Sequence, residues 1–194
     1  MTPTALEADG LAEARPAGVV AEAIFPAVAA PSGAAVPVAV GNPEIIMKTP
    51  LFLSALDHNR IERAIAAAEL RTSGELRVVI HGSKTDDPLT AAAKEFARLG
   101  MHRTRDRNAI LLLVAPRSRT FAFYGDSGVH EKCGPQFWQE LADALSADFR
   151  REAFTDGIVA ALTKAGELLA THFPRRPDDR NELPDHVIER PPII

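Results

Sequence analysis

The sequence predicts an α/β protein, a three-layer α/β/α sandwich with a small mixed sheet, in which a right-handed strand-helix-strand unit is followed by a hairpin and then two helices. Three observations carry that expectation. Apolar residues recur at helical spacing in four stretches, and three short strand-like runs are interleaved with them. The last two of these runs are separated only by Pro116 to Arg119, a connection of hairpin length.

Ser54 with Asp57 three residues later has the form of a capping box, and Leu56, Ile61, Ala64, Ile65 and Ala68 then share one helical face, so a first helix is expected over about 55–71. Thr72-Ser73-Gly74 stops it, and Leu76, Val78 and Ile80 follow in a run rich in β-branched residues. Asp87-Pro88 supplies an N-cap and a proline at the first helical position for a second helix over about 88–99, whose stripe is Leu89, Ala92, Ala93, Phe96 and Leu99. Ala109 to Val114 is continuously apolar, as a strand covered on both faces must be. The turn at Pro116–Arg119 returns the chain into Thr120 to Tyr124. Gly134-Pro135 opens a third helix carrying Phe137, Trp138, Leu141, Leu145 and Phe149, and Phe154-Thr155 opens a fourth that ends at Pro174.

The 194 residues allow one domain with a tail or a small second unit. Three segments are expected. Residues 1–46 hold 13 alanines, six prolines and one aromatic, and carry the whole formal charge of −4, so they read as a disordered Ala/Pro-rich leader. Composition and charge change at Met47, which makes that residue a candidate natural start. Residues 47–174 form the folded domain, and 175–194 a polar C-terminal tail that either docks or hangs loose. From Met47 on, 21 basic and 21 acidic side chains cancel, so nucleic acid is not an expected partner. Neither a signal peptide nor an unbroken 20-residue apolar span is found, and no membrane insertion is expected. A single cysteine, Cys133, points to a reducing, cytoplasmic setting.

The predicted topology sorts the chemistry-bearing residues by end of the sheet. Glu75 and the Asp106-Arg107-Asn108 segment precede the first two strands, and the third leaves into Gly125-Asp126-Ser127-Gly128, so Glu75, Asp106, Asn108 and Asp126 should converge with Glu131 close behind. Oxygen ligands on loops beside glycines suit a hard cation such as Ca2+. The alternative is that Asp106 and Asp126 are turn residues bonding their own backbone. A rival group, Asp86 and Asp87, sits at the carboxyl end of the first strand facing Pro116, Arg117 and Arg119, where ligands of parallel units collect. Helix capping explains Asp87 equally well. Asp106, Asn108, Asp126, Glu131 and, from the rival end, Asp87 are the candidate metal ligands.

Other chemistries find less. The basic run His102 to Arg107 reads as a solvated loop, Cys133 lacks the phosphatase-loop arginine six residues on, and His130 beside Glu131 is an acid/base pair or polar surface. No P-loop, G-x-S-x-G or H-E-x-x-H motif is present.

Thr72-Ser73-Gly74-Glu75-Leu76-Arg77-Val78-Val79, then Asp106-Arg107-Asn108-Ala109-Ile110, then Gly125-Asp126-Ser127-Gly128, with Phe154 and Gly157 later, make an ordered set that resembles the TPM-domain family, in a soluble bacterial subgroup. The resemblance spans about residues 50–174. It implies the α/β/α sandwich. Family members include a thylakoid-lumen protein with acid phosphatase activity and an accessory protein of a nematode acetylcholine receptor, and calcium binding is described for some. Here Ala109 stands where the family usually has glycine, and the Gly125–Gly128 motif carries one extra residue. The expected function is a non-catalytic accessory or interaction domain with a protein partner, steadied by Ca2+. The alternative is a metal-assisted acid phosphatase acting on phosphomonoesters.

Overall fold

The computed structural model describes residues 38–41, 49–178 and 184–192. Met47 and most of the alanine-rich leader lie outside the described residues.

A five-stranded mixed sheet organises the chain. Its strands are β1 (Val38–Gly41), β2 (Leu76–His81), β3 (Ile110–Ala115), β4 (Thr120–Gly125) and β5 (Ile188–Arg190), in the order β1-β4-β3-β2-β5. The helices are α1 (Thr49–Ser54), α2 (His58–Glu69), α3 (Pro88–Arg98), α4 (Ser127–Arg150) and α5 (Phe154–His172). As expected, β2 and β3 are parallel across α3, with Leu76 opposite Ile110, and β3 and β4 form the antiparallel hairpin, with Ile110 opposite Gly125.

Alternation of side chains along the strands divides the interior in two. Leu76, Val78 and Ile80 of β2, Ile110, Leu112 and Val114 of β3, and Phe121 and Phe123 of β4 join a large core with α1, α2, α4 and α5. Val79, Leu111, Leu113 and Ala122 join a smaller one under α3 with Ala92, Phe96 and Met101. Helices therefore cover both faces, which is the α/β/α sandwich. All six residues of β3 are buried, the reason its sequence never alternates with polar residues. Four rings meet at one end of the large core: Phe52 lies 4.9 Å from Phe154 and 6.2 Å from Phe149, and Phe149 lies 5.8 Å from Phe121, between ring centres.

Several expectations need correction. The first helix starts later than expected, at His58, and a separate short helix precedes it: Asp57 is the N-cap of α2, accepting from the Arg60 N–H at 2.9 Å, while the Ser54 hydroxyl turns back to donate to Leu51 O. The third helix begins earlier than Gly134: Asp126 caps α4 at Ser127, and Gly134 is a kink inside it with φ +61° and ψ 172°, a conformation glycine enters freely. Pro135 then starts the straight second segment, as its missing N–H allows.

Both edges of the sheet come from segments outside the expected 47–174 domain. Val38–Gly41, inside the expected leader, pair antiparallel with Thr120–Phe123 of β4. In the expected polar tail, Ile188–Arg190 pair parallel with Val79–His81 of β2. There Val187 is buried, its N–H donates to Glu62 Oε1 at 3.3 Å, Glu189 meets His58 at 3.1 Å and Arg190 meets Glu95 at 3.2 Å. A short polar strand becomes ordered because β2 offers it a ready ladder and matching charges. Among the described residues, no helix is long and apolar enough to cross a membrane.

Candidate functional site: the loop cluster at the start of β2 and β3

Three loops meet where β2 and β3 begin and β4 ends. Main-chain bonds tie them: Ile110 N–H donates to Glu75 O at 2.8 Å, Asp126 N–H to Ala109 O at 2.9 Å, and Gly128 N–H to Arg107 O at 3.0 Å. Gly128 is needed for this approach, since a Cβ there would stand 2.6 Å from Asp106 O and 2.7 Å from Arg107 O. Arg107 turns the loop with φ +53°, a left-handed conformation unusual for a residue with a side chain.

Ser73, Asp106 and Asn108 form a side-chain chain. Asn108 Nδ2 donates to Ser73 Oγ at 3.0 Å, and Ser73 Oγ donates to Asp106 Oδ2 at 3.4 Å. Each aspartate is also held by a guanidinium, Asp106 by Arg176 at 3.3 Å and Asp126 by Arg107 at 3.1 Å. Asp126 Oδ1 further accepts from the Ser127 N–H at 2.7 Å. Asn108 and Asp126 are almost fully buried, at 1% and 3% exposure, yet Asn108 Oδ1 and Asp126 Oδ2 have no hydrogen-bond partner. Buried acceptors are ordinarily satisfied, so these two oxygens are the anomaly of the site.

Of the set expected to converge, Asp106, Asn108 and Asp126 are brought together, while the Glu75 carboxylate goes to Arg77. Glu131 does not join it: it lies exposed on the first segment of α4. Asp87 lies at the carboxyl end of β2, across the sheet from Asp106, where it caps α3 by accepting from the Leu89 and Thr90 N–H groups at 3.1 and 2.9 Å. Hydrogen bonds from Thr90 hold its carboxyl below the ordinary aspartate value. The rival group does sit beside the hairpin turn, with Thr85 N–H donating to Ser118 Oγ at 2.7 Å. Among the described residues, no group of three or more His, Cys, Asp or Glu is placed to hold a metal ion. A cation in the loop cluster would have to draw on amide and main-chain carbonyl oxygens as well as carboxylates. Cys133 is half-buried, and burial pushes its thiol up to about 11, far from nucleophilic use.

A charged cluster next to these loops escaped sequence reading. Arg77, 1% exposed, bonds Glu69 Oε1 at 2.9 Å and Glu75 Oε2 at 3.0 Å, and Glu69 Oε1 also accepts from the Leu76 N–H at 2.8 Å. Desolvation raises the Glu69 carboxyl to about 8 despite the opposing pull of Arg77, so it is protonated at neutral pH. Glu69 Oε2 has no hydrogen-bond partner. The signal was available: an arginine inside the apolar run Leu76-Arg77-Val78-Val79-Ile80 must find a buried partner, and Glu69 continues the buried face of Ile61, Ile65 and Ala68.

The fold and site together define a class: an α/β/α sandwich whose Thr72–Glu75, Asp106–Asn108 and Gly125–Gly128 loops meet at one end of the sheet. Residues 47–168 match the model of the TPM domain, and the chain belongs to the TPM-domain family. Among solved structures it is similar to the NMR structure of the BA42 protein from the psychrophilic bacterium Bizionia argentinensis, with 34% identity and a TM-score of 0.64. That likeness covers 69% of this chain and 92% of BA42. No curated protein matches.

Proposed function

We propose that this TPM domain is a non-catalytic interaction module whose loop cluster holds one hard divalent cation, Ca2+, and presents the ordered loops to a protein partner. The observation that carries the reading is the pair of buried, partnerless acceptor oxygens, Asn108 Oδ1 and Asp126 Oδ2, on loops that meet. Calcium accepts amide, carbonyl and carboxylate oxygens at flexible geometry, which suits this donor set. Asp126 and Asn108, with Asp106 beside them, would hold it, and its charge would take over the neutralisation now supplied by Arg107 and Arg176. Bound there, the cation would supply cross-linking of the three loops. The non-catalytic half of the proposal is supported by the state of the carboxylates. A guanidinium lies against each, Arg176 on Asp106 and Arg107 on Asp126, so both carboxylates are already engaged rather than presented to a substrate.

Thermal unfolding of the full chain with Ca2+ against chelator tests it. Calcium at 100 times its dissociation constant adds about 2.7 kcal/mol, a rise of several degrees, and Asp126→Asn should abolish the rise. An unchanged melting temperature removes the cation. The phosphomonoesterase alternative has no single observation of its own; phosphatase turnover that survives purification and is lost in both Asp106→Ala and Asp126→Ala would reverse the ranking.

A further inference from the structure

We propose that Arg176 is a built-in competitor for the cation of the loop cluster, and that residues 175–178 around it form a strap that leaves the cluster when Ca2+ binds. This rests on the reading that Asp106, Asn108 and Asp126 hold Ca2+, and adds how that site is regulated.

The chain after α5 is anchored firmly at first. Thr72 Oγ1 donates to Phe173 O at 2.6 Å, the Ser73 N–H donates to the same oxygen at 3.0 Å, and Pro174 bridges to Thr72. Past that anchor the contacts are long and exposed. The Arg175 N–H reaches Arg71 O at 3.4 Å and its Nη1 reaches Leu70 O at 3.5 Å. Arg176 meets Asp106 at 3.3 Å and Arg105 meets Asp178 at 3.4 Å, the latter pair 66% and 70% exposed. Elements that move in regulation are drawn from segments held this lightly.

What the strap delivers is a charge. Asp106 Oδ2 takes Arg176 Nη2 and also accepts from Ser73 Oγ, to which the Asn108 amide donates in turn, so the guanidinium stands on the network that joins two of the three cation-holding residues. A guanidinium and a divalent ion on one carboxylate repel, and each weakens the other's hold. Arg107, on Asp126, differs: its Nη1 also donates to His102 O at 2.6 Å, and its backbone belongs to the cluster itself. Arg176 alone of the two stands on chain that can swing aside without unwinding a helix or a strand. Coupling of this kind is reciprocal. A protein that draws residues 175–178 away would therefore tighten Ca2+ by the factor with which Ca2+ loosens the strap.

Calorimetric titration of CaCl2 into the full chain, with amide hydrogen exchange before and after, tests this. Arg176→Gln should bind Ca2+ roughly three- to tenfold more tightly than the native chain, the effect of removing one unit charge beside a divalent ion in near-water dielectric. Arg176→Lys, which keeps the charge, should restore native affinity, and Arg175→Gln, whose guanidinium goes to Leu70 O, should leave it unchanged. In the native chain Ca2+ should speed exchange at the Arg175 amide while slowing it at the Ile110 and Asp126 amides that tie the loops. Equal affinity of Arg176→Gln and the native chain, or an Arg175 amide as protected with Ca2+ as without, overturns the strap and leaves the cation site standing. Ca2+ bound by neither protein removes the cation site and the strap with it.

Discussion

Replacing Glu69 with glutamine should change how stability depends on pH more than it changes stability itself. In the folded chain the Glu69 carboxyl ionises near 8 rather than 4.5, because burial outweighs the attraction of Arg77. Folding at neutral pH therefore takes up a proton that the unfolded chain has released. Below pH 4.5 both states are protonated and nothing is lost; from there each pH unit removes ~1.4 kcal/mol, until the folded group also ionises near 8 and the loss levels off. By pH 7 this group alone has cost roughly 3 kcal/mol. Glutamine preserves the acceptor that serves the Leu76 N–H and Arg77, and carries no proton to take up. Urea unfolding of both proteins from pH 4.5 to 9 isolates the effect, since every other carboxyl is shared. Glu69→Gln should become progressively the more stable of the two as pH rises, with the difference reaching a plateau above about 8. Parallel profiles would show that Glu69 is an ordinary anion paired with Arg77, and would refute the reasoning.

Other outcomes follow from the geometry. Gly128→Ala forces a Cβ to within 2.6 Å of Asp106 O, and should cost about 1–3 kcal/mol in denaturant unfolding while loosening the 106–108 loop in hydrogen exchange. Asp87→Ala removes the cap of α3 and should cost about 1 kcal/mol at neutral pH; because the native carboxyl is held low, the contribution it makes disappears as pH falls through its folded value. Arg190→Ala breaks a partly exposed pair with Glu95 and should cost under ~1 kcal/mol, whereas Val187→Asp, which places a charge at a buried position, should release β5 and deprotect the amides of the β2 edge.

The three central strands were legible because burial on both faces demands continuous or β-branched apolar runs, as Ala109–Val114 shows. The edges were not. Ile-Glu-Arg at 188–190 has no strand signature of its own, and Val38–Gly41 sits in a stretch whose alanines and prolines argue against order. Both gain their conformation from a neighbour's unsatisfied ladder, information that local sequence does not hold. Topology alone brought Asp106, Asn108 and Asp126 together, since parallel β2 and β3 with an antiparallel return fix which loops share an end. It said nothing of rotamers, so the arginines that claim both aspartates were invisible, and a helix start at Ser127 carried Glu131 out of the group. Arg77 was readable and overlooked: a cation in a buried strand is itself a statement that an anion lies nearby.

The placement of β1 and β5 bears on where this protein can be cut. Residues 47–168, the span that matches the family, contain β2, β3 and β4 but neither of the strands that finish the sheet. A fragment trimmed to that span would expose the outer rows of amides and carbonyls on both β4 and β2, each on an apolar strand. Such rows recruit other chains. The two short outlying strands act as stoppers that cover those rows, and a unit for expression or crystallisation that keeps them runs from before Val38 to beyond Arg190.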